Sequence, residues 1–254
     1  MTVGASSTPA HFRGKRFYRE WMKAQGLVGF AVRLFETDLH LAAEKDLTHE
    51  ALERVVELRN DLVAYAEAHD GFYAALRPLA AEAGAPDIVR RMCRAAAAWD
   101  VGPMAAVAGA FAEMVGQRLL AKSREVIVEN GGDIFIATRT PREIAIFAGE
   151  DSPFAGGLVV RVRPESLIRG VCTSSGTLGH SLSRGKADAV VAFAESATYA
   201  DAAATAIGNR IHTPEDVDKT VEAEKDRGAL LALVVVIGGT MGAFGDIEFV
   251  QREE

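Results

Sequence analysis

"EVIVENGGDIFIAT", residues 125–138, places two short β-rich runs on either side of Asn130-Gly131-Gly132. Val, Ile and Phe fit a pleated, half-buried surface, and an Asn-Gly-Gly turn supplies the positive φ that a tight two-residue connection needs. The stretch therefore reads as an antiparallel hairpin. The same glycines leave backbone amides open to close approach, and Asp133 adds a carboxylate, so a ligand-holding turn is the other reading of these residues.

Working outward, the strand pattern continues through "EIAIFAG", "GLVVRV", "SLIRGVC", "ADAVVAFA", "LALVVVIG" and "DIEFVQ", separated by Gly, Pro or charged residues. Upstream, "LVGFAVRLFETDLHLAAE" (27–44) reads as a further hairpin around Glu36 to Asp38. From Thr48 to His69 the apolar residues Leu52, Val55, Val56, Leu62 and Tyr65 fall mostly three or four apart, which predicts a helix. Further helices are expected over Pro86–Trp99, over 104–120 after the Gly102-Pro103 break, over "YADAAATAIGNRI" and over "PEDVDKTVEAEKD". The expectation is an α+β, layered domain with a helical N-terminal half packed on a sheet, one domain over 1–254: hairpin and helices in 1–100, the motif-bearing part in 101–254.

Composition narrows the function. The 254 residues carry 28 Lys+Arg against 35 Asp+Glu, a formal charge of −7 with no basic block, which argues against nucleic acid or an anionic membrane as a partner. The N-terminus lacks a continuous apolar core, so no secretory signal is expected and the cytoplasm is the expected location. "ALLALVVVIGG" (229–239) is far below the ~20 residues of a membrane span. Two cysteines, Cys93 and Cys172, exclude a disulfide framework or a Cys-based zinc cluster within one chain.

The chemistry gathers in "RGVCTSSGTLGHSLSRGKADAV" (169–190). Thr173, Ser174 and Ser175 offer hydroxyl donors, Gly176 and Gly179 permit close backbone approach, and His180 can exchange a proton. This is not a Walker loop: five residues separate Gly179 from Gly185, and Ala187 follows Lys186 where a Ser or Thr would stand. A hydroxyl-rich turn with a hydrogen-bonded His is the simpler reading. Cys172 is expected to be reactive only if Lys186 or His180 lowers its pKa, and to be a buried strand residue otherwise. Asp201 and Thr205 lie four apart on a predicted helix, so both oxygens share a face and suit a hard cation such as Mg²⁺; a helix-dipole role for Asp201 is the alternative.

Together, "GGD" at 131–133, "TSSG" with a following His at 173–180 and "ADAAATA" at 200–206 resemble the ApbE superfamily of FAD:protein FMN transferases. "GAFAEMVGQRLL" (109–120) resembles that family's small-residue helix. "VGPMAAVAGA" and "GVCTSSGTLGHSLS" look most like an ApbE-like branch found in anaerobes and methanogens. The resemblance implies a T-fold. It implies FAD or FMN held by Gly131, Gly132, Asp133, Thr173, Ser174, Ser175 and Gly176, and Mg²⁺ at Asp201 and Thr205 with a backbone carbonyl near Ala110. It also implies His180 as the base for FMN transfer to a protein hydroxyl. A nucleotide and an acceptor protein are then the partners, and a homo-oligomer is compatible with the sequence. Two features depart from the transferase pattern: Glu113 stands where a Lys is usual, and Ser181-Leu182-Ser183-Arg184-Gly185 replaces an Asp-Pro-x-Thr-Gly run. The alternatives are a carrier in sulfide assimilation (homocysteine synthesis) working through Cys172, and a non-catalytic form of the fold.

Overall fold

The computed structural model describes residues 26–148, 154, 158–176 and 185–250. Eight antiparallel strands form the main sheet: β1 (Val28–Leu34), β2 (Thr37–Ala43), β3 (Val126–Asn130), β4 (Asp133–Ala137), β7 (Gly170–Ser174), β8 (Ala189–Ala194), β9 (Ala232–Ile237) and β10 (Thr240–Gly245), in that spatial order. A three-stranded antiparallel sheet is ordered β11 (Glu248–Val250), β6 (Leu158–Val162), β5 (Arg142–Ile146). The helices are α1 (Thr48–Ala68), α2 (Asp87–Trp99), α3 (Val107–Leu119), α4 (Ala197–Gly208) and α5 (Asp216–Arg227), with a 3₁₀ turn at Pro103–Ala106.

Alternation within the strands divides the interior into two apolar layers. Val126, Val128, Phe135, Cys172, Ala192 and Val235 face the helices, whereas Ile127, Ile134, Ile136, Val171, Val191 and Val234 belong to a second core with Ile144, Val160 and Val162 of the small sheet. With both faces covered, the central strands β8 and β9 are buried at every position and read as continuous apolar runs. The expected α+β layering is thus present, with one difference of arrangement: the N-terminal hairpin β1–β2 extends the main sheet by pairing β2 with β3, Leu39 opposite Asn130. No single helix among the described residues is long and apolar enough to cross a membrane.

Two expectations are corrected. β7 begins at Gly170, not at the Ser166 end of "SLIRGVC". β10 was not expected, because "TMGAFG" contains two glycines; it forms because Gly242 lets the sheet edge approach α5, where a Cβ would lie 2.6 Å from Val217 and 3.0 Å from Val221.

Small residues decide how closely α4 crosses the sheet. A Cβ at Gly170 would lie 2.4 Å from Ala197 Cα and 2.5 Å from its amide nitrogen, backbone that cannot rotate away. Gly170→Ala is therefore expected to destabilise the fold by about 1–3 kcal/mol. At roughly 2–4 °C per kcal/mol for a chain of this size, thermal unfolding checks it, and an unchanged Tm would contradict the close approach.

Candidate functional site

Gly131 and Gly132 close the β3–β4 hairpin with Asn130 opposite Asp133, at φ of +68° and +112°. Both central residues need positive φ in this turn, so the simple hairpin reading holds as geometry. A Cβ at Gly131 would meet nothing within 4 Å and one at Gly132 only Thr173 at 4.0 Å, which leaves the tip approachable. The hairpin is tied down by Glu129, whose Oε1 accepts the Gly132 N–H at 3.0 Å, and by Asn130, whose side-chain amide donates to the Ala108 carbonyl at 3.1 Å.

Behind the tip lies a buried acidic cluster. Asp133 (8 % exposed) lies close enough to Asp201 (9 %) to oppose its ionisation, Glu129 opposes that of Asp133, and Cys172 is fully buried beside them. Asp201 is engaged on one side: its Oδ2 accepts the Gly109 N–H at 2.8 Å, and the Ala108 N–H also bonds to the carboxylate. These are first-turn donors of α3, which has no capping side chain of its own. Asp133 accepts the Thr173 N–H, yet its Oδ1 is buried without a hydrogen-bond partner among the described residues, and so is the Ser174 hydroxyl. Burial, then the Asp201–Asp133 repulsion, holds Asp201 well above the carboxylate range; burial pushes Asp133 up to about 7.

Cys172 is a buried residue of β7, the second of its two readings. Its thiol lies 3.2 Å from the Ala197 carbonyl and also faces Asp133; burial and the carboxylates Asp133 and Asp201 raise its pKa well above the usual thiol value. Lys186 is exposed and does not contribute to that shift, while its N–H donates to the Ile211 carbonyl at 2.7 Å. A thiol in this setting stays protonated. His180 lies outside the described residues, as does Gly179.

Of the remaining expected residues, Thr173 and Ser175 are half-buried near the end of β7. Gly176 sits at a neck: its N–H donates to the Ala187 carbonyl at 2.8 Å, and a Cβ there would lie 2.2 Å from the Gly185 carbonyl oxygen. Thr205 is half-buried one helical turn beyond Asp201, and Ala110 is fully buried next to Gly109. Asp133, Ser174 and Asp201 therefore lie toward the helix-facing side of β4 and β7, with the Thr173 N–H bonded to Asp133. No group of three or more His, Cys, Asp or Glu among the described residues is already arranged as a metal centre.

Sequence reasoning missed the role of Glu113. This buried carboxylate accepts the Ser196 hydroxyl at 2.6 Å, the Thr198 N–H and hydroxyl at 3.0 Å each, and Arg91 and Gln117 at 3.2 Å each. It caps α4, as Asp201 of α4 caps α3. The helices exchange carboxylates.

A family model described as AbpE bacteria matches residues 19–238. The chain belongs to this family. Among its relatives, a UPF0280 protein of Methanocella arvoryzae is 37% identical over 218 residues, covering 85% of this chain and 88% of the relative. A UPF0280 protein of Methanopyrus kandleri is 39% identical over 210 residues, 80% and 84% of the two chains. Among solved structures, the apo flavinyl transferase ApbE of Pseudomonas stutzeri has a TM-score of 0.58 at 15% identity, covering 86% of this chain and 94% of that one. The ApbE protein of Thermotoga maritima has a TM-score of 0.51 at 15%, covering 85% and 96%. At such identities the likeness is one of fold, and it agrees with the expected ApbE-like architecture.

The raised Asp133 carboxyl has a consequence for stability. Between its ordinary 3.8 and about 7 the folded protein holds a proton that the unfolded chain releases, so stability present at acid pH is lost as pH rises through that window. With chelator present, Tm is expected to fall between about pH 4 and 7, and Asp133→Asn is expected to lessen that fall. An equal slope in the variant would show that Asp133 titrates normally.

Proposed function

We propose that this protein binds a flavin dinucleotide with Mg²⁺ at the β4–β7–α4 cluster and transfers FMN to a protein hydroxyl. The observation that supports the reading most strongly is the pair of buried carboxylates, Asp133 and Asp201, with Asp133 Oδ1 unpartnered among the described residues. Two such groups side by side are costly unless a proton or a cation is shared between them. The donor set is all oxygen, which suits magnesium. Asp201, Thr205 and a carbonyl near Ala110 would hold the ion, with Asp133 beside it. When bound there, the metal supplies positive charge to a pyrophosphate.

The chain's own groups do the rest. The unpartnered Ser174 hydroxyl and its neighbours Thr173 and Ser175 donate to phosphate oxygens, and the Gly131-Gly132 tip lets a planar or phosphate group approach the backbone. In the transfer, the acceptor oxygen bonds to the FMN phosphorus as the bond to the AMP oxygen breaks, and AMP leaves. The acceptor's proton goes to a base, assigned on sequence to His180.

The test is to titrate FAD with and without Mg²⁺ and to follow AMP release with candidate acceptor proteins. Mg²⁺-dependent binding is expected, abolished by Asp201→Asn and weakened about tenfold or more by Ser174→Ala, since hydrogen bonds to charged groups are worth about 1.5–3 kcal/mol. No binding at about 100 µM FAD would overturn the cofactor assignment; binding without AMP release with any acceptor would remove the transfer.

A further inference from the structure

At the far end of α4 from Thr205 and the Gly176–Gly185 neck lies an open cleft of about 640 Å³, the size of a small-molecule site. α4 is 12 residues long, about 18 Å at 1.5 Å per residue, so the cleft at its N-terminus is separate from the loops at its C-terminus. Four segments meet there: α2, Glu113 of α3, the β8–α4 corner, and the α5–β9 corner at 228–231.

The polar groups of the wall are unequally occupied. Glu113 is fully engaged by the α4 cap and Arg91, and Asp87 bonds both Arg90 and Arg91. Arg94, one turn beyond Arg91 on the same helix, is exposed, and its Nε reaches only the Arg90 carbonyl of its own helix at 3.3 Å. No ion pair engages it among the described residues. The Tyr199 hydroxyl likewise has no protein partner there. Ala95, Ala194, Ala229, Leu230 and Leu231 make the rest of the wall apolar. With Asp87 and Glu113 taken up by Arg90 and Arg91, the free donors of Arg94, the Tyr199 phenol and the apolar wall leave a place for one anionic head beside an apolar body.

We propose that this cleft is a second ligand site, for a small organic anion with a carboxylate or phosphate head and an apolar body. The head bonds the Arg94 guanidinium and the free face of Arg91, the Tyr199 hydroxyl adds a donor, and the body lies against Leu230 and Leu231. Glu195, exposed at the rim and without an ion pair among the described residues, opposes highly charged ligands and favours a single anionic group. The buried Glu113 network holds Arg91 in place beforehand. The site is independent of the flavin reading, because none of its residues belongs to the β4–β7 cluster.

A local reporter is built in. Trp99 packs edge-on against the Tyr199 ring with centroids 5.5 Å apart, and the chain has only two tryptophans. In full-length protein carrying Trp21→Phe, butyrate and n-butyl phosphate are titrated separately while Trp99 emission is followed. A saturable change with either probe is expected, its half-saturation raised about tenfold in Arg94→Ala, and the probe that acts identifies the head group. Arg94 is exposed, so its loss does not threaten folding, and Arg94→Gln provides a second, polar variant. No saturable change with either probe at about 10 mM, or the same half-saturation in both Arg94 variants, would overturn the proposal.

Discussion

The exchange of carboxylates between α3 and α4 is the interaction on which the rest of the site depends. Each helix begins with N–H donors that its own side chains leave partly unmet, and each lends the other a buried acid: Asp201 to Ala108 and Gly109, Glu113 to Thr198. A buried carboxylate is expensive, and here backbone N–H groups at two helix ends offset the cost. The exchange requires the helices to touch. Gly109 permits it, since a Cβ there would stand 2.3 Å from the Ala197 carbonyl oxygen and 2.8 Å from Asp201 Cβ. Because Asn130 bonds the Ala108 carbonyl, the same contact also positions the β3–β4 hairpin.

This arrangement gives physical meaning to the chain's departure from the ApbE transferase pattern. A lysine at position 113 would direct its ammonium at Arg91 and at the N–H donors of α4, all of which repel a cation. Glutamate satisfies those donors and accepts from Arg91.

Much of the fold was legible in the residues. The Asn130–Asp133 turn was readable because its backbone admits little but glycine, α1 because its apolar residues recur at helical spacing, and α3 because the Gly102-Pro103 break marks its start. β10 was hidden by its glycines, and the role of Gly242 appears only against Val217 and Val221. The clasp was illegible for another reason: Gly109 and Asp201 are 92 residues apart, and nothing local marks Asp201 as a cap for a different helix. Asp133, Ser174 and Asp201 were identified by motif, but the burial that leaves Asp133 Oδ1 and Ser174 Oγ without partners comes from packing between distant segments, as does the burial that disarms Cys172.

The account is tested most directly by a double-mutant cycle on the clasp, comparing the unfolding free energies of Glu113→Gln, Asp201→Asn and the double variant in denaturant. If the two carboxylates hold one joint contact, loss of the first slackens the helix pair on which the second acts, and the effects are expected to depart from additivity by about 1 kcal/mol or more. Additivity within about 0.5 kcal/mol would show two independent caps and contradict the claim that the site rests on their exchange.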